Sequence, residues 1–498
     1  MGKAKKACII GAGIGGITTS IYLAQKGYQV SVFEKNASPG GRCGQIIRDG
    51  HRFDLGATIL LMPGIYQKVF QTLGIDFSDF FTRLPLDVLY RIHFDDGKKL
   101  DFTTDQSTFK EQLETIEKGS YHKAVLYIRK GYVSFGLAME KLLGRNFTHI
   151  FQFINLKNAW LLVRLKTYLK HISWVKRFFK NEHLRTAFTF QNIYVGQNPL
   201  TAPALFSMIP AAELTEGSFF PQGGMYTVAE KLIEEAKKLG VKFTCNQPVT
   251  KIHVAGNTAT AIETADGEIH EGSVIVANAD LPYVYRELLP DRKRSQRIDR
   301  MKYSCSSIVI HWGMDKAYKE LSHHNVFLSA RYRSNLKTIF REHALSDQPS
   351  FYVHAPAATD PSAAPAGQDS LSVIIPAGHL GSRGERDWNE MKNAARASVI
   401  NRLKELGMDD IEEHIKFEIC YLPQTWKTLF NLTRGATFGS LAHHILQMGY
   451  FRPHNRHPRY RNLYFTGGST HPGNGVPLVL LSAMLTSERI IKECDHGI

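Results

Sequence analysis

Cysteine is scarce in this sequence, with six in 498 residues, and no two of them form a CxxC pair. This spacing gives no sign of a disulfide framework, a zinc site or a redox disulfide. No apolar run reaches the roughly 18–20 residues of a membrane-spanning helix, so we expect no transmembrane segment. Hydrophobic residues make up 43% and charged residues 21% of the chain, which excludes a disordered or coiled-coil polymer. The composition predicts a globular protein of two or three domains on the cytoplasmic side of a membrane.

Acidic residues are outnumbered, since 61 Lys and Arg against 46 Asp and Glu give a formal net charge of +15. Such a chain is attracted to polyanions, either nucleic acid or anionic lipid. Zinc-finger, helix-turn-helix, RNP and basic-zipper signatures are all missing from the sequence. We therefore expect no nucleic-acid partner and favour peripheral attachment to an anionic membrane surface.

The clearest motif is glycine-rich and lies between two short apolar segments. Residues 5–10 predict a buried strand, and GAGIGG at 11–16 leads into a helical pattern. A second strand at 29–33 ends on Glu34. This order of strand, glycine-rich turn, helix, strand and acidic residue predicts a complete βαβ dinucleotide-binding unit.

Each position in that unit has a physical reason. Gly11 permits the tight turn, Gly13 lets backbone amides approach a pyrophosphate at the helix N-terminus, and Gly16 permits close packing of helix on strand. Glu34 accepts hydrogen bonds from a ribose diol, and its charge disfavours a 2′-phosphate. The motif predicts an ADP-containing cofactor other than NADP, bound by Gly11, Gly13, Ile14, Gly15, Gly16 and Glu34.

A second glycine pair follows shortly after Glu34. Gly40, Gly41 and Arg42 offer backbone amides and a cation, which suit a dinucleotide phosphate or a flavin. The sequence DLGAT at 54–58 comes next and contributes Gly56, Ala57 and Thr58. An NAD enzyme has no evident need of this second anion-binding surface, so the pattern favours FAD.

These motifs together resemble the flavin amine oxidase superfamily. Within it, the chain is similar to the carotenoid (phytoene) desaturase family. The segments that carry this similarity are Asn278-Ala279-Asp280, YSCSS at 303–307, HHNVF at 323–327 and NLYFTGGSTHPG at 462–473. The resemblance covers most of the chain and is weakest between about residues 80 and 200. It implies an FAD-dependent oxidoreductase that introduces double bonds into an acyclic isoprenoid chain by hydride transfer to flavin, with quinone or oxygen as final acceptor.

The C-terminal motif adds the flavin end of the site. A short strand at 463–465 precedes the turn Gly467-Gly468, and Pro477 is expected at the first position of the closing helix. The positive end of that helix dipole suits the N1/O2 edge of a reduced flavin. His471 is the candidate for stabilising the flavin or relaying a proton, and its alternative is a structural bond within the turn. Further cofactor-binding candidates are Gly475, Val476 and Pro477 in this motif, and Val249 in a predicted sheet segment at 248–252.

The expected fold is α/β, with a Rossmann-like FAD-binding domain of the glutathione-reductase or amine-oxidase type. That domain is discontinuous over 1–78, 222–290 and 453–498. An inserted α+β substrate domain with a helical membrane-associating region is expected over 79–221 and 291–452. Residues 357–367, rich in alanine and proline, predict a solvent-exposed loop.

Residues 147–184 mix aromatic and basic side chains, and no acidic residue occurs there before Glu182. Basic aromatic helices suit the headgroup layer of a membrane, and the alternative is ordinary packing against the protein. A C40 polyene is practically insoluble in water, so an enzyme acting on one has to collect it from lipid. This requirement favours membrane contact.

Several alternatives stay open. Other carotenoid reactions on the same scaffold include desaturation of a hydroxylated, cyclised or C30 substrate, isomerisation and reduction. An amine oxidase needs an aromatic cage, which the sequence does not identify, and a flavin-free prenyl-lipid carrier would resemble the GDP dissociation inhibitors. The pairs His323-His324 and His443-His444 do not predict a metal site, because adjacent histidines point apart in regular structure.

Overall fold

The computed structural model describes residues 5–381 and 386–495 of the chain. The strands in these residues are β1 (Lys6–Ile10), β2 (Gln29–Phe33), β3 (Gln45–Arg48), β4 (His51–Asp54), β5 (Arg83–Pro85), β6 (Val88–His93), β7 (Lys99–Thr103), β8 (Phe219–Pro221), β9 (Lys242–Thr244), β10 (Val249–Ala255), β11 (Thr258–Thr264), β12 (Ile269–Glu271), β13 (Val274–Ala277), β14 (Ser306–Met314), β15 (His324–Phe327), β16 (Phe351–His354), β17 (Asp369–Ala377), β18 (Ile415–Tyr421) and β19 (Leu463–Phe465).

The α-helices in the same residues are α1 (Ile14–Gln25), α2 (Pro63–Thr72), α3 (Gln106–Ile116), α4 (Ser120–Ala138), α5 (Leu156–Arg164), α6 (His171–Val175), α7 (Glu182–Ala187), α8 (Met208–Glu216), α9 (Tyr226–Lys238), α10 (Leu281–Tyr283), α11 (Arg292–Asp299), α12 (Tyr332–Lys337), α13 (Trp388–Lys404), α14 (Pro423–Phe430) and α15 (Val476–Asp495). None of the helices in the part of the chain that the structure describes is long and apolar enough to span a bilayer.

The first layer is a parallel sheet with the strand order β19-β13-β1-β2-β9. Its inner strands are continuous apolar runs because a parallel sheet is covered on both faces. Helices α1, α9 and α15 cover one face, and the small sheet β10-β11-β12 packs with the core of the other. This is the Rossmann-like architecture that the sequence predicts, and its strands come from distant parts of the chain. The proposed domain boundaries themselves stay a prediction.

The second layer is a mixed sheet with the order β18-β14-β17-β16-β15-β6-β7, in which β15 and β6 pair in parallel. Apolar side chains on one face of this sheet pack against α13. The opposite face carries Val309, Tyr352, Ile374 and Val326, which line the main cavity of the molecule. Helices α3, α4, α6 and α7 contribute to a separate apolar cluster beside β6 and β7, whereas the buried residues of α5 and α8 pack with those of α1 and α15. The mixed sheet with these helices is the α+β region inserted into the Rossmann-like unit.

One expectation about an irregular segment needs correction, and the expected membrane contact of a second segment stays a prediction. Residues 357–367 are not simply a solvent loop, because Asp360 is 2% exposed and pairs with Arg52 at 2.6 Å. Residues 147–184 divide into two halves: Trp174 and Phe179 are buried in the core, whereas Leu156 and Trp160 are 90% and 65% exposed. Packing against the protein therefore accounts for the second half of that stretch. In the first half Phe153, Leu161 and Leu165 are also buried, and only part of the apolar side chains is exposed.

Candidate FAD site and hydrocarbon cavity

The glycine-rich turn between β1 and α1 is shaped so that larger residues would not fit. Gly11 has a φ of +91°, and a Cβ there would lie 2.7 Å from the backbone oxygen of Asn278. A Cβ on Gly16 would lie 2.2 Å from the Gly11 oxygen. Gly16 therefore sets how closely α1 approaches β1, which leaves the N-terminus of the helix facing the cavity.

Glu34 closes this end of the site. Its carboxylate accepts hydrogen bonds from the backbone N–H groups of Ala12 and Asn36, at 2.8 and 2.9 Å. Each oxygen keeps a further lone pair, and Glu34 lines the cavity. A ribose diol bound there would find a carboxylate already fixed in orientation, as the motif predicts.

The second glycine pair packs directly on the first. The Gly40 N–H donates to the Ala12 oxygen at 2.8 Å, and Gly40 has a φ of +119°. Arg42 follows in a short 3-10 turn and donates to the Thr437 backbone oxygen at 2.6 Å. Burial lowers the pKa of the Arg42 guanidinium, and the charge of Asp280 opposes that shift. The two loops together surround one cavity with amides and a held cation.

The C-terminal turn reaches the same place through Asn278. The Asn278 side chain donates to the Gly11 oxygen at 3.0 Å, and a Cβ on Gly467 would lie 3.0 Å from its Oδ1. Arg452, buried at 1% exposure, donates to the backbone oxygens of Gly468 and Thr470 at 2.6 and 2.8 Å. The helix α15 begins at Val476, so Pro477 is its second residue and not its first. The N-terminal and C-terminal motifs therefore form one site.

One continuous cavity of about 730 Å³ joins these elements. The predicted cofactor-binding residues that line it are Gly11, Gly13, Ile14, Gly15, Glu34, Gly40, Gly41, Arg42, Gly56, Ala57, Thr58, Val249, Gly467, Gly468, Gly475, Val476 and Pro477. Gly16 is not among the lining residues and contributes by packing beneath the turn. The individual binding roles stay predictions.

His471 lies elsewhere. It is absent from the lining of the main cavity and borders a separate small cavity of about 10 Å³. Its Nε2 hydrogen-bonds the Arg145 backbone oxygen at 3.0 Å, and burial lowers its pKa to about 4. This position fits the structural alternative, a histidine that ties the turn to its surroundings.

Some residues of the site carry no recognisable signal in the sequence. Asp280, 7% exposed, accepts a hydrogen bond from the Thr433 N–H at 2.9 Å, and burial raises its pKa. Trp426 and Phe430 stack on each other with ring centroids 5.8 Å apart and line the cavity beside the mixed sheet. In the sequence, the segment Asn278-Ala279-Asp280 points to Asp280 only through the family resemblance. The two aromatic residues look like ordinary core residues.

Beyond the glycine turns the cavity walls are apolar. The main apolar lining residues are Ala138, Leu142, Leu143, Phe153, Leu162, Phe190, Ile193, Leu205, Phe206, Met208, Ile209, Val326, Phe327, Leu328, Phe351, Ile445, Leu446, Met448 and Phe451. Ile445, Leu446 and Phe451 are also 41%, 67% and 42% exposed on the molecular surface. They mark where this part of the cavity approaches solvent.

The apolar mouth continues onto an exposed patch. Phe153 stands edge-on to Phe451 with ring centroids 5.7 Å apart, so the segment before α5 packs beside the mouth. We call the neighbouring exposed side chains the mouth patch; they are Ile150, Phe151, Ile154, Leu156, Trp160, Val163, Tyr168, Ile445, Leu446 and Phe451. An exposed apolar surface of this kind marks an interaction site.

Three histidines meet on the cavity side of the mixed sheet. The sequence does not predict this group, because His354 is distant along the chain from the adjacent pair His323 and His324. One ring nitrogen from each of His323, His324 and His354 lies within 4.8 Å of the others. His354 Nε2 and His323 Nε2 are 3.1 Å apart, and His324 Nδ1 bonds the Tyr352 hydroxyl at 2.6 Å. Burial lowers the pKa of all three, so the rings are neutral and have lone pairs that could bind a metal ion. The expectation of no metal stays a prediction.

The comparison with known proteins gives this geometry its family. The family described as flavin containing amine oxidoreductase matches residues 14–491. The chain belongs to the flavin-containing amine oxidoreductases. In fold, this family member is similar to a putrescine oxidase structure with bound putrescine, at a TM-score of 0.64 and 15% identity over 98% of this chain and 99% of that one. It also resembles a Rab GDI of Plasmodium falciparum, at a TM-score of 0.55 and 11% identity over 100% of this chain and 99% of that one.

Sequence relatives place this flavoprotein more narrowly. It is 37% identical to a zeta-carotene-forming phytoene desaturase of Myxococcus xanthus, over 98% of this chain and 94% of that protein. It is 33% identical to a 4,4′-diapophytoene desaturase (4,4′-diaponeurosporene-forming) of Staphylococcus haemolyticus, over 98% and 99%. The resemblance to the carotenoid desaturases that the motifs predict is confirmed.

FAD is the cofactor of this flavoprotein, and the residues present fit it. The turn around Gly11 and Gly16 has no room for a Cβ. Glycines of this kind let the protein backbone come close to the pyrophosphate of a dinucleotide. Arg42 and the N-termini of α1 and α15 supply positive charge around the cavity. Glu34 would hold the adenosine ribose, and the Gly467-Gly468 turn would face the flavin ring.

Proposed function

We propose that this protein is an FAD-dependent desaturase of an acyclic isoprenoid hydrocarbon, acting in carotenoid biosynthesis. The observation that carries the proposal is the single cavity, which has a dinucleotide cradle in one part and apolar walls in the rest. A substrate made almost entirely of hydrocarbon explains walls of this composition. A small charged amine would leave most of them without a partner.

The reaction makes a carbon–carbon single bond double and removes two hydrogens. Bound FAD supplies the hydride acceptor that ordinary side chains cannot provide, because an allylic C–H is too weak an acid for them. The apolar side chains of the chain, such as Phe190, Ile209 and Val326, hold successive bonds of the substrate in place and exclude water from the electron-poor carbon left behind. Specificity then depends on how far a chain can slide along these walls.

Chain length and end groups are the finer part of the proposal. The relatives include proteins named for phytoene and for 4,4′-diapophytoene, and we favour a phytoene-like C40 substrate. Hydroxylated, cyclised or C30 substrates, isomerisation and reduction are the alternatives on the same scaffold. We propose a quinone or oxygen as the final electron acceptor.

We further propose that the protein binds the surface of an anionic membrane through the mouth patch. Leu156 and Trp160 project from α5 beside the cavity mouth, and Lys157 and Arg164 on the same helix are exposed. Buried apolar area and cations near anionic headgroups would act together there. A substrate dissolved in lipid could then enter the cavity without crossing water.

Anaerobic reduction of the bound flavin tests the proposed reaction. Purified holoprotein mixed with phytoene in liposomes should lose its oxidised-flavin absorption, and longer polyene bands should appear in the extracted lipid. Squalane, a saturated isoprenoid without allylic C–H bonds, is the control and should leave the flavin oxidised. Bleaching by putrescine or another amine instead of phytoene would favour an amine oxidase. A protein that purifies without flavin would favour a lipid carrier.

A further inference from the structure

A buried carboxyl group lies in the apolar part of the cavity, where a hydrocarbon substrate gives no reason for one. Glu213 on α8 is 2% exposed and lines the cavity beside Met208 and Ile209. Gly131 on α4 brings α8 close, since a Cβ on Gly131 would lie 2.6 Å from that of Ala211. The position of the Glu213 carboxyl is therefore fixed by the packing of two helices.

Two phenols hold this carboxyl in orientation. The Tyr90 hydroxyl donates to Glu213 Oε2 at 3.1 Å, and the Tyr194 hydroxyl donates to Oε1. Gln191 in turn donates to the Tyr90 oxygen at 2.7 Å. Within residues 5–381 and 386–495, no lysine, arginine or histidine forms an ion pair with Glu213. Each carboxyl oxygen therefore has one donor and keeps a lone pair.

The surroundings of Glu213 favour its neutral form. Burial raises its pKa to about 7, and the two hydrogen-bonding tyrosines oppose that shift. The other titratable groups nearby are Tyr127 on α4, whose hydroxyl bonds the neutral His171 at 2.6 Å, and Glu216 one turn along α8. A carboxylate in this setting gains by taking up a proton.

A short row of polar groups connects Glu213 with the predicted flavin contacts. Strands β6 and β15 are parallel and pair Arg91 with Asn325. The preceding residues, Tyr90 on β6 and His324 on β15, therefore lie side by side, and both line the cavity. His324 Nδ1 bonds the Tyr352 hydroxyl at 2.6 Å, and that hydroxyl bonds Thr58 at 3.0 Å. Thr58 belongs to the predicted flavin-binding stretch. Glu213 is therefore two strands from the residues expected to contact the flavin.

We propose that Glu213 is the proton acceptor of the desaturation, an assignment that rests on the proposed function. One substrate C–H gives its hydrogen and electron pair to the flavin as hydride. The neighbouring C–H gives its electron pair to the new C=C bond, and its proton goes to a Glu213 oxygen to form the neutral acid. A weak base is sufficient because a C–H beside a carbocation is a strong acid. The proton leaves Glu213 to solvent when product departs.

Other candidates for this role are placed less well. His471 does not line the cavity. His324 does, but its Nδ1 is taken by Tyr352 and its Nε2 is buried, facing the histidine cluster. Among the described residues that line the apolar part, Glu213 supplies the carboxyl group.

The test is the rate of anaerobic flavin reduction by phytoene in holoprotein carrying Glu213→Gln. Glutamine is isosteric, its oxygen can still accept from one tyrosine and its NH2 can donate to the oxygen of the other, but it cannot take the proton. We expect the limiting rate to fall at least about 100-fold, as for loss of a general base. Substrate binding, followed by quenching of flavin fluorescence, should change less than about threefold. Glu213→Asp should recover part of the rate.

The pH dependence separates a proton acceptor from a structural clamp. The wild-type rate should rise with pH through about 7, because only ionised Glu213 can accept, and the Glu213→Gln rate should be flat. In substrate-free holoprotein, infrared spectra should contain protonated carboxyl absorption that titrates over the same range, and the variant should lose the part contributed by Glu213 while that of Asp54 remains. Glu216→Gln, which alters a carboxyl on the same helix that bonds Tyr132, is the matched control and should leave all of these unchanged.

Two results would overturn the assignment. A Glu213→Gln protein that reduces its flavin within threefold of wild type, with the same pH dependence, would make Glu213 a clamp between helices. Wild-type protein that no acyclic isoprenoid reduces would reject the proposed function, and the role of Glu213 with it. The first result leaves the desaturase proposal intact, so the two failures are distinguishable.

Discussion

Gly16 shows how a missing side chain sets the geometry of the site. A Cβ there would lie 2.2 Å from the Gly11 oxygen and 3.0 Å from the Asn278 side chain. We expect Gly16→Ala to push α1 away from β1 and to lower the FAD content of purified protein at least about tenfold, because the turn loses its close approach to the pyrophosphate. The ratio of flavin absorption to protein absorption measures the effect.

Gly64 supplies the control for this prediction. It lies in the first turn of α2, where a Cβ would meet nothing within 4 Å. Gly64→Ala should keep full flavin content. If Gly16→Ala also keeps it, the turn between β1 and α1 does not hold the cofactor as argued.

At the scale of elements, Gly313 on β14 allows Phe417 of β18 to lie across the sheet. The two residues are paired in register, and a Cβ on Gly313 would lie 2.3 Å from the phenyl ring. Gly313→Ala should lower the free energy of unfolding by about 1–3 kcal/mol, the usual cost of overpacking. Chemical denaturation of the holoprotein measures this change.

A double-mutant cycle locates the cause of that change. Phe417→Leu has a smaller side chain, so Gly313→Ala should cost less in its presence than in the wild type. Equal costs in both backgrounds would mean that the strain lies in the backbone of β14 and not in the contact with Phe417.

Elements with a local signal could be predicted from the sequence. The strands at 29–33 and 463–465 have the predicted bounds, because alternating or apolar runs end at an acidic residue or at glycine. The pairing of β6 with β15 could not be predicted, since it joins Arg91 to Asn325 with no pattern in between. Glu213 was missed for the same reason: its hydrogen-bond partners Tyr90 and Tyr194 lie 123 and 19 residues away along the chain. A lone glutamate on a helix looks like a solvated one in the sequence.

At the scale of the whole molecule, buried histidines make stability depend on pH. Burial lowers the pKa of many histidines below the usual value of 6.5. The fully or almost fully buried ones are His171, His311, His323, His324, His354, His443 and His471. The unfolded chain binds protons at these sites as pH falls through 6.5, while the folded chain does not. Each such group costs the folded state about 1.4 kcal/mol per unit of pH below 6.5.

Several buried carboxyls act in the opposite direction. Burial raises the pKa of Asp54 and Glu213 to about 7 and that of Asp369 to about 6, and it also raises the pKa of Asp280, Glu216 and Glu488. The stability that these groups contribute is complete below the pKa of an unfolded carboxyl, about 4, and is lost as pH rises from there to the folded pKa. The histidines outnumber them. We therefore expect the melting temperature of the FAD-saturated protein to fall steadily between pH 7 and pH 5. A melting temperature that rises over this range would mean that the histidines are charged in the folded state.

The proposed membrane contact through the mouth patch would give the molecule a preferred orientation, which substitutions can test. Leu156→Asp with Trp160→Asp places two charges on the most exposed part of α5. Burial of a large apolar side chain contributes about 1.5–3 kcal/mol, so we expect the affinity for anionic liposomes to fall at least about tenfold in a sedimentation assay. The bound flavin should be unaffected, because neither residue lines the cavity.

The matched control for the mouth patch carries the same charge change elsewhere. Ile47 and Ile269 are 67% and 61% exposed and lie outside the patch. If Ile47→Asp with Ile269→Asp weakens binding as much as the pair on α5, attachment depends on overall charge and the patch has no special role. If the control pair binds like wild type, the cavity mouth faces the lipid.

Phytoene added in liposomes should then reduce the flavin of the control variant faster than that of the α5 variant, while phytoene dispersed in detergent should reduce both at the same rate.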